Sequence, residues 1–141
     1  TLQAQILDLL KELQDEFDLA VLLITHDLGI VAGTCSRVCV MYMGEIVEEG
    51  SVFDIFENPL HPYSQGLLKS VPIPGEGHKE RLPAIRGSVP DPRDLPSGCA
   101  FGPRCDLFEA GTCDQDGRVA FVDTGDQQRA RCYRTNASTN G

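Results

Sequence analysis

The chain has 141 residues, a formal net charge of −9, 41% hydrophobic residues and 6 cysteines. That apolar content supports a folded core and excludes wholesale disorder, and the acidic balance runs against a nucleic-acid binder, which needs a basic footprint. The longest apolar run, Leu19 to Ile24, is far short of the ~20 residues of a membrane helix, no signal peptide is visible, and the opening Thr-Leu-Gln, without Met, suggests a piece of something longer.

In chain order, residues 2–17 predict an amphipathic helix. Leu2, Ile6, Leu9, Leu10, Leu13 and Phe17 step mostly by three and four, on one face. Residues 20–25, Ala-Val-Leu-Leu-Ile-Thr, are short, apolar and partly β-branched, which predicts a strand buried on both faces. A helix followed by such a strand is a piece of a parallel α/β sheet. His26-Asp27 end the strand, and Leu28 to Thr34 predict a short helix with Asp27 as N-cap. Arg37 to Met43 predict a second apolar strand, Gly44-Glu45 a tight turn, and Ile46 to Glu49 a shorter, more exposed strand. Both 20–25 and 37–43 need further strands as neighbours. Ser51 caps a small helix, Val52 to Glu57, and Asn58-Pro59 stop it. Residues 62–70 predict another helix with Pro62 in first position.

The character of the chain then changes. Residues 1–70 hold 3 basic residues against 11 acidic ones, and residues 71–141 hold 9 against 10. Seven of the 9 prolines lie between Pro72 and Pro103, a density that breaks regular structure and predicts a boundary near residue 72. Only 3 of the 12 basic residues are lysines, which fits a surface kept hydrated in strong salt. The tail from Thr135 predicts fraying.

His26 follows a predicted buried strand, and in open parallel sheets ligands bind beyond the carboxyl ends of strands. An imidazole there can donate to a phosphate oxygen or orient a water; a strand cap bonding a backbone carbonyl is the plain structural alternative. The surrounding residues, Leu-Leu-Ile-Thr-His26-Asp27-Leu and Arg37-Val-Cys-Val-Met-Tyr-Met-Gly-Glu-Ile-Val-Glu-Glu-Gly50, closely resemble the end of an ABC-transporter nucleotide-binding domain. The resemblance implies a P-loop α/β fold in which His26 is the switch-loop histidine, contacting the γ-phosphate of ATP and helping to position the attacking water. It also implies ATP and Mg2+ as ligands of the whole protein, with the Walker A, Q-loop, signature and Walker B motifs preceding Thr1. No G-x-x-x-x-G-K-[ST] occurs in these residues, so the phosphate cradle is missing from them and no ATPase activity of their own is expected.

Asn58-Pro59-Leu60-His61-Pro62-Tyr63 resembles the start of the C-terminal extension in the oligopeptide/dipeptide (and nickel) importer ATP-binding subunits. Read from the residues alone, His61 and Tyr63 around a proline make a rigid helix start whose side chains satisfy local backbone groups.

Cys99, Cys105, Cys113 and Cys132 give C-x5-C-x7-C-x18-C in Gly/Pro-rich sequence. So short and irregular a segment needs a staple. Zinc and an iron–sulfur cluster each take four thiolates, and the spacing leaves the two even. Cys35 and Cys39 read as small buried hydrophobes. Leu95-Pro96-Ser97-Gly98-Cys99-Ala100-Phe101-Gly102-Pro103-Arg104-Cys105 is similar to the cysteine region of the peptide-importer subunits, and that resemblance implies a [4Fe-4S] cluster on Cys99, Cys105, Cys113 and Cys132, with zinc as the alternative. Asp106 stands where that group often has proline. Arg104, Arg129 and Arg131 lie near the cysteines in sequence and could offset cluster charge, although surface solvation is their default.

The resulting organisation is 1–57, the end of the nucleotide-binding domain; 58–134, an extension with the four-cysteine site; and 135–141, a flexible tail. The implied function is ATP-driven peptide import at the cytoplasmic face of the membrane, with transmembrane permease subunits and a second ATP-binding subunit as partners. A free-standing metal- or Fe–S-binding regulatory module is the alternative.

Overall fold

The computed structural model describes residues 1–71, 84–124 and 127–135. It divides into two compact units, Thr1–Cys35 and Ser36–Gly141. Residues 72–83, at the expected boundary and the start of the Pro-dense stretch, lie outside the described residues, as does nearly all of the expected tail.

The first unit holds helix α1 (Leu2–Phe17) and helix α2 (Leu28–Thr34). Thr1 caps α1, its Oγ1 accepting from the Ala4 N–H at 3.3 Å. Asp18 ends the helix in the left-handed region at φ 51°, a conformation that a short polar side chain tolerates. Asp27 caps α2, its Oδ1 accepting from Gly29 at 2.9 Å and Ile30 at 3.2 Å. Both helices match the expected bounds.

The strand expected at residues 20–25 does not form. These residues pair with no strand of the described sheet, and Leu22 and Ile24 are 88% and 89% exposed. An apolar run becomes a buried strand only where neighbours take up its backbone groups and cover its faces, and the described residues supply neither.

The second unit is built on an antiparallel sheet whose first two strands are the hairpin expected over residues 37–49, while the parallel sheet expected around residues 20–25 is not part of it. Strands β1 (Arg37–Tyr42), β2 (Glu45–Ser51), β3 (Val122–Asp123) and β4 (Arg129–Ala130) lie in the order β1-β2-β4-β3. β1 and β2 form a hairpin closed by Met43 and Gly44, both at positive φ (50° and 77°), the combination that a two-residue hairpin turn needs. The turn thus sits one residue earlier than expected. The pairing runs from Arg37↔Ser51 to Tyr42↔Glu45 and shifts between Val40 and Met41. Val47 is the extra residue of that bulge, and consecutive Val47 and Glu48 are both buried. β2 is therefore not the exposed strand of the pair: β4 covers its other edge, with Glu48 opposite Ala130. β1 is the edge strand, and Cys39 on it is exposed, against its expected burial.

Helix α3 (Val52–Glu57) starts at Ser51, whose Oγ accepts from the Asp54 N–H at 3.1 Å and donates to Asp54 Oδ2 at 2.6 Å. Helix α4 (Pro62–Lys69) begins on Pro62 as expected. The core joins Tyr42 and Val47 of the hairpin to Phe101 and Cys105 of the irregular segment, with Tyr63 packed against them. Tyr42 meets the Phe101 ring edge-on at 5.3 Å between centroids. Among the described residues no helix is long and apolar enough to cross a membrane.

Candidate functional site

Two of the expected site elements fall in different units. His26 lies in the first, exposed, at the bend between the extended segment and α2. Its neighbours fix the local turn: the Asp27 N–H donates to Thr25 Oγ1 at 3.0 Å, and the Asp27 carboxylate is committed to capping α2. His26 is thereby presented at the surface beside a rigid helix start.

The four late cysteines lie in the second unit and are all free. They line one small pocket with Phe101, Phe108 and His61. The loops carrying them close on each other at Gly98, which sits at φ +73° and so near the Cys113 carbonyl oxygen that a Cβ would collide with it. The Cys99 N–H donates to that same Cys113 oxygen at 2.9 Å. After Cys99 the chain makes a single 3-10 turn, Gly102–Arg104, and the Cys105 N–H bonds the Gly102 carbonyl at 3.1 Å. The Cys105 carbonyl accepts from Arg86 Nη2 at 2.7 Å, and Arg86 Nε pairs with Asp106 at 2.6 Å. Asp106 thus anchors an arginine. Thr135 holds the Cys132 carbonyl through its Oγ1 at 2.6 Å.

Burial pushes the Cys99 thiol up to about 11, with backbone N–H donation from Phe101 only partly opposing it. Burial also raises Cys105, and the nearby Cys132 and Cys113 add to the effect. As bare thiols these two stay protonated; a bound metal centre would have to displace their protons. The donor chemistry, four thiols around apolar walls, suits a thiolate-ligated group. Among the described residues, however, no three His, Cys, Asp or Glu side chains are gathered as ligands of one metal ion.

The arginines named for charge compensation are employed elsewhere. Arg104 Nε donates to the Arg86 carbonyl at 3.0 Å, Arg129 Nε to Glu49 at 2.8 Å, and Arg131 Nε to the Ile46 carbonyl at 3.0 Å. Arg131 also lies over the Phe121 ring at 4.0 Å. The arginine on the cysteine pocket is Arg134, which donates to the Leu107 carbonyl at 2.9 Å.

Asn58-Pro59-Leu60-His61-Pro62-Tyr63 packs directly behind this pocket. His61 is 1% exposed, and its Nδ1 accepts from the Tyr63 N–H at 3.1 Å, the local backbone role expected of it. Burial lowers its pKa to about 4, so the ring is neutral near pH 7. The turn is held from below by Glu48, fully buried, which sequence reasoning missed. Its carboxylate accepts from the Leu60 N–H at 2.8 Å, the His61 N–H at 2.9 Å and Gln128 Nε2 at 3.0 Å. Gln128 also donates to the Asn58 carbonyl at 2.9 Å, so β4, β2 and the turn share one buried polar knot.

The family described as "Oligopeptide/dipeptide transporter, C-terminal region" matches residues 47–113, a span that includes Glu48, the His-Pro-Tyr turn and three of the four cysteines. The oligopeptide transport ATP-binding protein AppD of Bacillus subtilis is 53% identical over 105 residues, covering 74% of this chain and 32% of its own length. A probable peptide ABC transporter ATP-binding protein of Sinorhizobium fredii is 47% identical over 141 residues, covering 99% of this chain and 41% of its own. The chain belongs to the ATP-binding subunits of oligopeptide/dipeptide ABC transporters. A putative peptide import ATP-binding protein of Brucella ovis is also similar, 52% identical over 110 residues and 32% of its own length. The chain thus spans about a third to two-fifths of the peptide-transporter subunits it matches.

Proposed function

We propose that these residues are the C-terminal portion of an ATP-binding subunit that couples ATP hydrolysis to peptide import, working with membrane permease subunits and a second ATP-binding subunit on the cytoplasmic face of the membrane. The observation that carries this is the match across 47–113 together with peptide-transporter relatives that cover up to 99% of the chain. The same similarity favours this reading over a free-standing metal-binding module.

In this reading residues 1–57 complete the nucleotide-binding domain, 58–134 form the peptide-importer extension, and 135–141 are its tail. His26 is the one group of the ATP site carried here, donating to the γ-phosphate of Mg-ATP and holding the attacking water. Its exposure beside a capped helix start supports that role. Cys99, Cys105, Cys113 and Cys132 hold a [4Fe-4S] cluster that folds the extension. Such a cluster spreads its four thiolates over separate irons, so the ligands surround the group instead of meeting at a point. Four thiols lining one pocket support this arrangement; zinc, the alternative, needs all four sulfurs about 2.3 Å from a single ion.

The 141 residues alone should turn over ATP no faster than buffer, and measurable turnover would contradict the reading. In an assembled transporter carrying this sequence, His26→Ala should lower kcat for ATP by roughly 10²–10³-fold, the usual scale for one transition-state hydrogen bond. An unchanged kcat would remove His26 from the mechanism.

A further inference from the structure

The His61 ring uses one nitrogen and leaves the other idle. Nδ1 accepts from the Tyr63 N–H, so in the neutral ring the proton is on Nε2. Nε2 is buried and has no hydrogen-bond partner among the described residues. A buried donor without a partner is uncommon in native proteins and costs free energy, so each instance calls for an explanation. The Nδ1 bond to Tyr63 holds the ring in this orientation. Its backbone N–H is bonded to Glu48, its other nitrogen is engaged, and the Phe101 ring lies at 5.9 Å, two residues after Cys99. His61 is itself one of the residues lining the pocket with Cys99, Cys105, Cys113 and Cys132.

We propose that His61 Nε2–H donates a hydrogen bond to sulfur of the group held by these four cysteines, making the His-Pro-Tyr turn and the four-cysteine segment a single site. A neutral thiol is a weak acceptor; the anionic sulfur of a ligated thiolate or a cluster sulfide accepts more strongly. His61 is then a positioning residue that tunes the group and ties it to the buried knot at Glu48. The inference rests on the cluster reading above. Hydrogen bonds to cluster sulfurs favour the more negative reduced state, and so raise the reduction potential.

Two substitutions separate the two nitrogens. His61→Asn keeps an acceptor for the Tyr63 N–H and loses the distal donor. His61→Gln carries an amide N–H near the Nε2 position and gives up the cap. The protein is purified without oxygen, reduced, and examined by redox titration and by pulsed EPR after labelling with 15N-histidine. The expected results are a weakly coupled histidine nitrogen in the wild type that is absent from both variants, a lower reduction potential in His61→Asn, and a near-wild-type potential in His61→Gln. A wild-type cluster without histidine coupling overturns the hydrogen bond while leaving the cluster reading intact, and this holds even if a variant fails to retain its cluster. An unshifted potential in a loaded His61→Asn does the same. Wild-type protein with neither iron nor sulfide overturns the cluster reading and this inference with it.

Discussion

The first unit, Thr1–Cys35, is the more regular in sequence and the less consolidated in structure. Its two helices have clear periodicity and good caps, yet none of its residues is buried, and Leu2, Ile6, Leu9 and Phe17 of α1 are at least half exposed. The second unit, Ser36–Gly141, has short strands and long loops, yet among the described residues it contains the whole buried core, including Phe101, Cys105, Val119 and Ala130. Periodicity shows which face of an element seeks cover; it does not supply the cover. The loops of the second unit are held instead by buried polar groups that answer specific backbone donors.

The sharpest way to break this contrast is at Glu48. Replacement by alanine removes the acceptor of the buried His61 N–H, of the half-buried Leu60 N–H and of one Gln128 amide N–H, and should destabilise the second unit by about 3 kcal/mol. Chemical denaturation followed by tyrosine fluorescence measures this, and a loss below about 1 kcal/mol would show that the knot is not what holds the unit. Gly98→Ala comes next. Strain at positive φ costs about 1–3 kcal/mol, and the collision with the Cys113 carbonyl separates two cysteine loops. Metal content should fall along with the melting temperature; normal metal loading would show that the loops close without Gly98.

Acid acts on the same region through His61. Its folded pKa, about 4, lies below the unfolded value of about 6.5, so the unfolded chain binds the extra proton between those values. Stability is therefore full above about pH 6.5 and declines as pH falls towards 4, by about 3 kcal/mol. His61→Asn should flatten that part of the pH profile, and parallel profiles for the two proteins would contradict the burial argument.

The caps should give the smallest effects and divide cleanly between the units. Ser51→Ala should cost about 1 kcal/mol in the second unit. Asp27→Ala should speed amide exchange at Gly29 and Ile30, which it caps, while leaving the unfolding midpoint of the second unit unmoved. A shift in that midpoint would mean that the two units do not unfold separately.

What the sequence made legible was local. Helices at 2–17, 28–34 and 52–57, with caps at Asp27 and Ser51, depend on neighbouring residues and were readable as such. The Cys and His-Pro-Tyr blocks were conspicuous because their residue types are rare. Apart from the hairpin turn, displaced by one residue to Met43 and Gly44, the failures were long-range. Strand 20–25 was read from its own composition, though a strand exists only with partners. β2 looked exposed because nothing near Ile46–Glu49 announces that residues 129–130 lie alongside it. Glu48 is one acid in a run of two, and only its alignment with Leu60, His61 and Gln128 sets it apart from Glu49. Arg134, two residues after Cys132, lines the cysteine pocket, while Arg104, Arg129 and Arg131, as near in sequence, bond elsewhere, and sequence distance alone does not separate them. Sequence could name the four cysteines and His61, but not that they line one pocket.

What the four cysteines hold decides the chemistry of the second unit. Iron, acid-labile sulfide and zinc should be quantified together in protein purified without oxygen, alongside its visible absorption. The account predicts about four irons and four sulfides per chain with broad blue-region absorbance, lost together when Cys99, Cys105, Cys113 or Cys132 is replaced by serine. Stoichiometric zinc with no sulfide, or metal content indifferent to those substitutions, would contradict it.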